Sequence, residues 1–136
     1  DGISPRLAVL MIGTNNHMSS PPEVTARDIQ LIVKKLRTKL PQTKVLALGI
    51  FPRGAGDDDS ARQINMKVNE LVSSIGDGKM VHYLNINEAF LNGRRLRHNL
   101  IPDGTHPNEK GYAAWAKAME PILAKLLGEE PVIPTD

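Results

Sequence analysis

Three short apolar runs alternate with longer amphipathic stretches, and this alternation constrains the fold more than any other feature of the sequence. The runs occupy residues 7–12, 45–50 and 80–84. Runs of this length are typical of strands that are covered on both faces of a parallel sheet. Parallel strands need crossover connections, which helices supply. The sequence therefore predicts an α/β fold, a three-layer α/β/α sandwich with a parallel sheet.

The stretches between the runs carry apolar residues at helical spacing and recognisable helix ends. Ser19 or Ser20 is predicted to cap the first helix. Acceptors at residues 57–59 mark the start of the second helix, and Asn108 begins the last one, which stops at Gly128. We expect residues 1–128 to be the C-terminal portion of a single domain, with residues 129–136 as a tail.

Composition excludes several classes of protein and of partner. The chain has 136 residues, a net charge of +2 and no cysteine. Its charges are mixed, without the basic stripe of a nucleic-acid surface, and disulfides, thiolate metal sites and a cysteine nucleophile are ruled out. No apolar run approaches the roughly 20 residues that span a membrane. The compartment and the oligomeric state, a homo-oligomer included, stay open.

Polar segments follow the predicted strands at the edge where an α/β sheet binds its ligands. In such sheets the ligand crevice lies beyond the carboxyl ends of the strands. Residues 13–16 follow the first run, and residues 52–56 follow the second. Residues 92–107 form a long loop without periodicity, and such loops are often functional. We therefore expect the three segments to gather at one edge of the sheet.

Asp103 and His106 are candidates for chemistry because they stand three residues apart just before the last helix. At that spacing the carboxylate can accept a hydrogen bond from the imidazole Nδ1, which leaves Nε2 free to take a proton from a hydroxyl nucleophile. The alternative is structural: Asp103 forms a turn with Gly104, and His106 is an exposed loop residue. Taken alone, the spacing favours the structural interpretation.

The segment Gly-Thr-Asn-Asn at residues 13–16 supplies polar groups at the end of the first strand. The carboxamide of Asn15 could donate a hydrogen bond to a developing oxyanion, and Gly13 would let a substrate approach the backbone. His17 follows directly and is a further candidate for lining the crevice. A strand-ending turn with a helix cap is the alternative, and it is favoured when the segment is taken alone.

The order of these segments resembles that of a known family. The first strand ends in Gly-x-Asn and is followed by two α/β units. Before the terminal helix, residues 103–112 read Asp-Gly-x-His-Pro-Asn-x-x-Gly-Tyr. In this order the segments resemble the SGNH (GDSL) hydrolases. The resemblance covers residues 7–127. Within the family, residues 48–54, Asn65 and residues 68–70 most resemble the catalytic subunits of platelet-activating-factor acetylhydrolase and their bacterial relatives.

The resemblance implies a serine esterase that hydrolyses short acyl esters without a metal or an organic cofactor. Position by position, it assigns His106 as the general base, Asp103 as the acid that orients it, and Asn15 as an oxyanion-hole donor. Asn16 departs from the Asp that many members have at this position, and no catalytic role is assigned to it. The expected partner is a small-molecule ester; nucleic acid is not expected.

The serine nucleophile of the family is missing from the sequence. Members carry it in a Gly-Asp-Ser motif after an earlier strand, and no such motif occurs here. None of the serines follows an apolar run in that context: Ser4, Ser19, Ser20, Ser60, Ser73 and Ser74. We expect a preceding segment on the order of 80 residues, the scale of two βα units, to carry the nucleophile. The chain alone is then predicted to be inactive and unstable.

Two other interpretations remain. A fold of this family that has lost its serine would be a non-catalytic module that binds a carbohydrate or a protein, and the sequence upstream of Asp1 would separate it from the enzyme. A flavodoxin-like nucleotide or signalling domain has the same layer order. The chain lacks the glycine-rich phosphate loop that such a domain needs after a strand, which argues against it.

Overall fold

The computed structural model describes residues 4–13 and 18–130. The main strands are β1 (Leu7–Leu10), β2 (Lys44–Leu48) and β3 (Val81–Leu84), and the α-helices are α1 (Pro22–Lys39), α2 (Ser60–Val72) and α3 (Glu109–Leu127). A 3-10 helix (Asn87–Phe90) leads into a small antiparallel hairpin of β4 (Leu91–Asn92) and β5 (Arg95–Leu96). None of the described helices combines the length and the apolar character needed to cross a membrane.

β2 is the centre of a parallel sheet and has β1 and β3 as its neighbours. Its side chains alternate between the two faces, as in any strand. On one face Leu46 and Leu48 pack in a cluster with Met119 of α3. On the other face Val45 packs with Val33 of α1, and α2 joins α1 in a neighbouring cluster. The predicted three-layer sandwich around a parallel sheet is therefore confirmed.

β1 is less covered than the sequence predicts. The apolar run at residues 7–12 predicts a strand that is buried on both faces, whereas the strand has four residues and its Val9 is 40% exposed. β1 pairs with β2 along one edge, and no strand in the described ranges pairs with its other edge. Val9 stays exposed because none of the described elements covers it.

The first helix begins without the side-chain cap that the sequence predicts. Its N-cap is Pro21, with φ −59° and ψ 150°, and Pro22 is its first residue. Proline suits this position because the first N–H groups of a helix have no partner inside the helix. Capping by Ser19 or Ser20 is therefore a wrong prediction, since no side chain caps α1.

The start of α2 and both ends of α3 agree with the sequence, whereas α2 ends at Val72 and not at Gly76 as the apolar spacing predicts. Asp59 caps α2 by accepting a hydrogen bond from the N–H of Arg62 at 2.9 Å. Asn108 caps α3 by accepting from the N–H of Gly111, also at 2.9 Å. Gly128 closes α3 in the left-handed conformation, with φ 68°. These short polar caps act over three residues, which is why local sequence is enough to predict them.

The long segment at residues 92–107 contains more regular structure than the sequence predicts. It starts inside the β4–β5 hairpin, and the N–H of Leu96 donates to the carbonyl of Ala55 at 3.1 Å. Leu96, Leu100 and Ile101 are buried and anchor the segment in the core. Strands of two residues produce no detectable periodicity, so the hairpin could not be seen in the sequence.

Asn69 of α2 fixes the chain where it leaves β2. Its carboxamide Oδ1 accepts from the N–H of Ile50 at 2.7 Å, and its Nδ2 donates to the Ile50 carbonyl at 2.9 Å. Both groups of Ile50 are buried, and the carbonyl also accepts from Asn87 Nδ2 at 3.1 Å. Asn69 is therefore the side chain that satisfies the main-chain N–H of Ile50.

We predict that Asn69→Ala, in the protein that includes the expected preceding segment, lowers the free energy of unfolding by about 2 kcal/mol, because the buried N–H of Ile50 loses its acceptor. Gln63→Ala is the matched control, since Gln63 is an exposed amide of the same helix that donates to the Asp57 carbonyl. Its effect should stay within about 0.5 kcal/mol. Urea unfolding followed by circular dichroism measures both variants. Equal losses in the two variants would contradict the role given to Asn69.

Candidate active site

Asp103 and His106 lie in the loop that leads into α3, and their side chains form a direct hydrogen bond. Asp103 Oδ2 is 2.6 Å from His106 Nδ1. The other carboxylate oxygen, Oδ1, accepts from the main-chain N–H groups of Thr105 at 2.8 Å and of His106 at 2.7 Å. The carboxylate therefore holds both the backbone and the ring of His106.

These hydrogen bonds determine the ionisation of Asp103 and the tautomer of His106. The main-chain N–H of His106, then its imidazole and then the N–H of Thr105 hold the pKa of Asp103 well below its usual range. An ionised carboxylate has no proton to donate, so Nδ1 carries the proton in this contact. In the neutral imidazole Nε2 is then the acceptor. This is the arrangement of a general base with the acid that orients it.

The two side chains are open to solvent. The exposed fraction is 78% for the His106 side chain and 56% for that of Asp103. None of the described residues makes a hydrogen bond to His106 Nε2, so this nitrogen is accessible to a group that approaches from outside. His106 can therefore take up a proton at Nε2 while the Asp103 carboxylate stabilises the resulting imidazolium.

The start of α3 holds the loop on one side. The N–H of Asn108 donates to the Leu100 carbonyl at 2.9 Å, and its Nδ2 donates to the Asn99 carbonyl at 2.9 Å. A Cβ at Gly111 would lie 2.8 Å from the Cβ of Pro107 and would also overlap with the Leu100 carbonyl oxygen. Glycine is thus needed for α3 to approach the loop this closely.

The loop after β2 holds the same segment on the other side. The N–H of Gly54 donates to the Gly104 carbonyl at 3.1 Å. Arg53 Nη2 donates to Thr105 Oγ1 at 3.2 Å. Two of the three segments that were expected to gather, residues 52–56 and 92–107, are therefore in direct contact.

Gly13 marks the end of the segment that follows β1. It has φ 98°, and a Cβ at this position would lie 3.0 Å from Thr25 Cγ2 and 3.3 Å from Ile50 Cδ1. The chain after β1 thus packs against the start of the loop after β2, at the carboxyl ends of both strands. The predicted oxyanion donor Asn15 and the candidate His17 lie outside the described residues. Their roles, and that of Gly13 in substrate binding, stay predictions.

Sequence reasoning misses Arg62, which is buried in the first turn of α2 and donates to main-chain carbonyls of two loops. A signal for it exists in the sequence. A cation near the start of a helix faces the positive end of the helix dipole, and the first turn of α2 has no acidic residue to offset it. Such an arginine needs acceptors from elsewhere in the fold.

A cavity of about 720 Å³ lies elsewhere, lined among others by Arg62, Asn69, Tyr83 and Asn87. Neither Asp103 nor His106 lines it, so the candidate acid and base belong to the open surface. Within residues 4–13 and 18–130, no cluster of three or more His, Asp or Glu side chains has the arrangement to hold a metal ion.

The comparison with known proteins agrees with the motifs and the fold. Residues 1–114 match the model of the GDSL-like lipase/acylhydrolase family, and the chain belongs to this family. Platelet-activating factor acetylhydrolase IB subunit alpha2 from Rattus norvegicus is 35% identical over 134 residues, which is 96% of this chain and 57% of that protein. The chain thus spans little more than half the length of this relative. The resemblance to the SGNH hydrolases and to the acetylhydrolase branch is confirmed.

Solved structures share the fold. A protein named as a GDSL-like lipase, from Bacteroides ovatus, superposes with a TM-score of 0.74 at 21% identity, over 97% of this chain and 39% of that one. A carbohydrate acetylesterase family member from Sinorhizobium meliloti superposes with a TM-score of 0.69 at 15% identity, over 90% of this chain and 62% of that one. At these identities the similarity concerns the fold alone, and it supports the α/β assignment.

We predict that the Asp103 carboxyl titrates well below 3.8, as measured by 13C NMR of the protein that includes the expected preceding segment. In His106→Ala the midpoint should rise because the imidazole contact is lost, yet stay below 3.8 because both main-chain N–H groups remain. Since folding lowers this pKa, ionised Asp103 stabilises the loop above pH 3.8, and that contribution is lost as the pH falls through the folded-state pKa.

Asp77 is an internal control for this titration. The main-chain N–H groups of Val81, Lys79 and Met80, which donate to its carboxylate, lower its pKa to about 2. His106→Ala should leave the Asp77 midpoint unchanged. A midpoint for Asp103 that His106→Ala does not move would show that the imidazole is not bound to this carboxylate in solution.

Proposed function

We propose that this chain supplies the base, the orienting acid and one oxyanion donor of a serine esterase that hydrolyses short acyl esters. The contact that carries the proposal is the 2.6 Å hydrogen bond between Asp103 Oδ2 and His106 Nδ1. It leaves Nε2 as the acceptor, which is what a general base needs. Membership of the GDSL-like lipase/acylhydrolase family supports ester hydrolysis as the reaction class.

In the proposed reaction a serine hydroxyl attacks the ester carbonyl carbon while His106 Nε2 takes the hydroxyl proton. The carbonyl oxygen becomes an oxyanion, to which the carboxamide of Asn15 donates a hydrogen bond. The tetrahedral intermediate then expels the alcohol, which leaves with the proton from Nε2. Water attacks the acyl-serine in the same way, with His106 again as the base, and the carboxylic acid is released.

We place the nucleophile on an N-terminal segment of the same domain, of which residues 1–128 are the C-terminal portion. The exposed Val9 and the edge of β1 that no described strand pairs with support this location. Apolar parallel strands are normally covered on both faces, and an unpaired apolar edge tends to associate with another strand. Residues 1–136 alone are then inactive, because the serine is not part of them.

The proposed substrate is a small-molecule ester with a short acyl group such as acetyl, on a lipid or a carbohydrate. The names of similar proteins support hydrolysis of acetyl esters, since they include a platelet-activating factor acetylhydrolase subunit and a carbohydrate acetylesterase family member. The proposed chemistry needs neither a metal nor an organic cofactor.

We predict that His106→Ala lowers kcat/KM for p-nitrophenyl acetate by about 10³-fold or more in the protein that includes the serine segment. His98→Ala is the matched control, because His98 is an exposed histidine of the same long segment, and its activity should equal that of the unsubstituted enzyme. Full activity of His106→Ala would reject the base assignment. A complete protein that hydrolyses no acetate, butyrate or octanoate ester would favour the non-catalytic binding module.

A fluorophosphonate probe, which labels activated serines covalently, locates the nucleophile. We predict labelling of a Gly-Asp-Ser serine outside residues 1–136 and no labelling of the serines within them. Mass spectrometry of the labelled peptides identifies the site. Adduct formation on a serine of this chain, lost again in His106→Ala, would contradict the proposed location of the nucleophile.

A further inference from the structure

Arg62 is a buried arginine without a carboxylate partner. It is 2% exposed, and none of the ion pairs among the described residues involves it. Its guanidinium instead donates to three main-chain carbonyl oxygens, from Nε to Arg53 at 2.9 Å, from Nη2 to Gly54 at 2.6 Å and from Nη1 to Arg94 at 2.6 Å. A buried cation is costly unless its donors are satisfied, and here the main chain takes the place of water.

One of these carbonyls belongs to the peptide unit that joins Arg53 to Gly54. The oxygen of this unit accepts from Arg62 Nε, and its N–H donates to the Gly104 carbonyl at 3.1 Å. A charged donor on the oxygen polarises a peptide unit and strengthens its N–H as a donor. The guanidinium therefore reinforces the contact between the loop after β2 and Gly104.

The backbone of Gly54 is restricted to this position. It has φ 75°, and a Cβ there would overlap with the carboxyl group of Asp59, the cap of α2. Glycine is the residue that can adopt this conformation so close to another group. Arg62 and the cap of its own helix thus hold the same loop from two sides.

The segment that receives these contacts is the one that carries the candidate acid and base. Gly104 accepts from the N–H of Gly54, and Thr105 Oγ1 accepts from Arg53 Nη2 at 3.2 Å. Both residues lie between Asp103 and His106. The N–H of Thr105 is also one of the two main-chain donors to the Asp103 carboxylate.

From these contacts we infer that Arg62 is a positioning residue for the Asp103–His106 pair. It touches neither the ester nor the reacting atoms, and it acts through residues 53–54 on residues 104–105. The inference rests on the proposed function for the catalytic meaning of the pair. It also gives a physical role to part of the motif at residues 48–54, for which the sequence alone provides none.

The test is Arg62→Lys in the complete protein, since lysine keeps the charge but lacks the planar fork that reaches three carbonyls. We expect hydrogen exchange at the Gly54 N–H to accelerate about 10-fold or more. In 13C NMR the Asp103 midpoint should move up toward 3.8. The kcat for p-nitrophenyl acetate should fall by about 10-fold to 100-fold, with KM within about twofold.

Arg37→Lys is the matched control. Arg37 Nη1 also donates to main-chain carbonyls, those of Leu40 at 3.2 Å and Thr43 at 2.8 Å, but it does so before the amino end of β2, at the opposite edge of the sheet. This variant should lower the unfolding temperature and leave Gly54 exchange, the Asp103 titration and kcat unchanged.

If Arg62→Lys does not fold, Thr105→Val tests the far end of the same connection. It removes the acceptor of Arg53 and should move the Asp103 midpoint in the same direction by a smaller amount. An Arg62→Lys protein with a lowered unfolding temperature but unchanged Gly54 exchange and Asp103 titration would overturn the inference. A complete protein without ester hydrolysis would contradict the proposed function, and the two NMR readouts would still decide on Arg62.

Discussion

The carboxylate of Asp103 organises the loop on which the candidate site depends. One oxygen accepts two main-chain N–H groups and the other binds the imidazole of His106. The backbone contacts fix where the carboxylate sits, and the hydrogen bonds from residues 53–54 to residues 104–105 hold the loop that carries them. The same contacts keep the carboxylate ionised, which in turn assigns the proton to Nδ1. Geometry and protonation state therefore have one common cause.

That local arrangement is placed in the molecule by the sheet. β2 is buried on both faces, and its alternating side chains separate α3 from α1 and α2. The loop after β2 then leaves the sheet at its carboxyl end and contacts Gly104, while α3 approaches the other side of the Asp103 loop through Gly111. The loop after β2 and the start of α3 thus hold one short segment from two sides.

The features that could be predicted from the sequence are those that local spacing determines. The caps of α2 and α3 act over three residues, as does the contact between Asp103 and His106. The predicted serine cap of α1 is wrong because the helix begins at Pro21 and Pro22, which have no N–H group that needs an acceptor. The β4–β5 hairpin and the contacts of Arg62 join residues from separate segments, and no periodicity encodes such contacts.

The exposure of the His106 side chain determines what residues 1–136 can contribute to the proposed catalysis. A carboxylate can orient an imidazole at an open surface, because the contact is a short hydrogen bond within one turn. Stabilisation of an oxyanion depends much more on exclusion of water, since the same donors are worth more at low dielectric. With the His106 side chain 78% exposed, the described residues supply orientation without enclosure. An element that covers β1 and brings a serine to His106 Nε2 would supply the nucleophile. The same element would also exclude water from the site, so the N-terminal segment would meet both requirements of the proposed reaction.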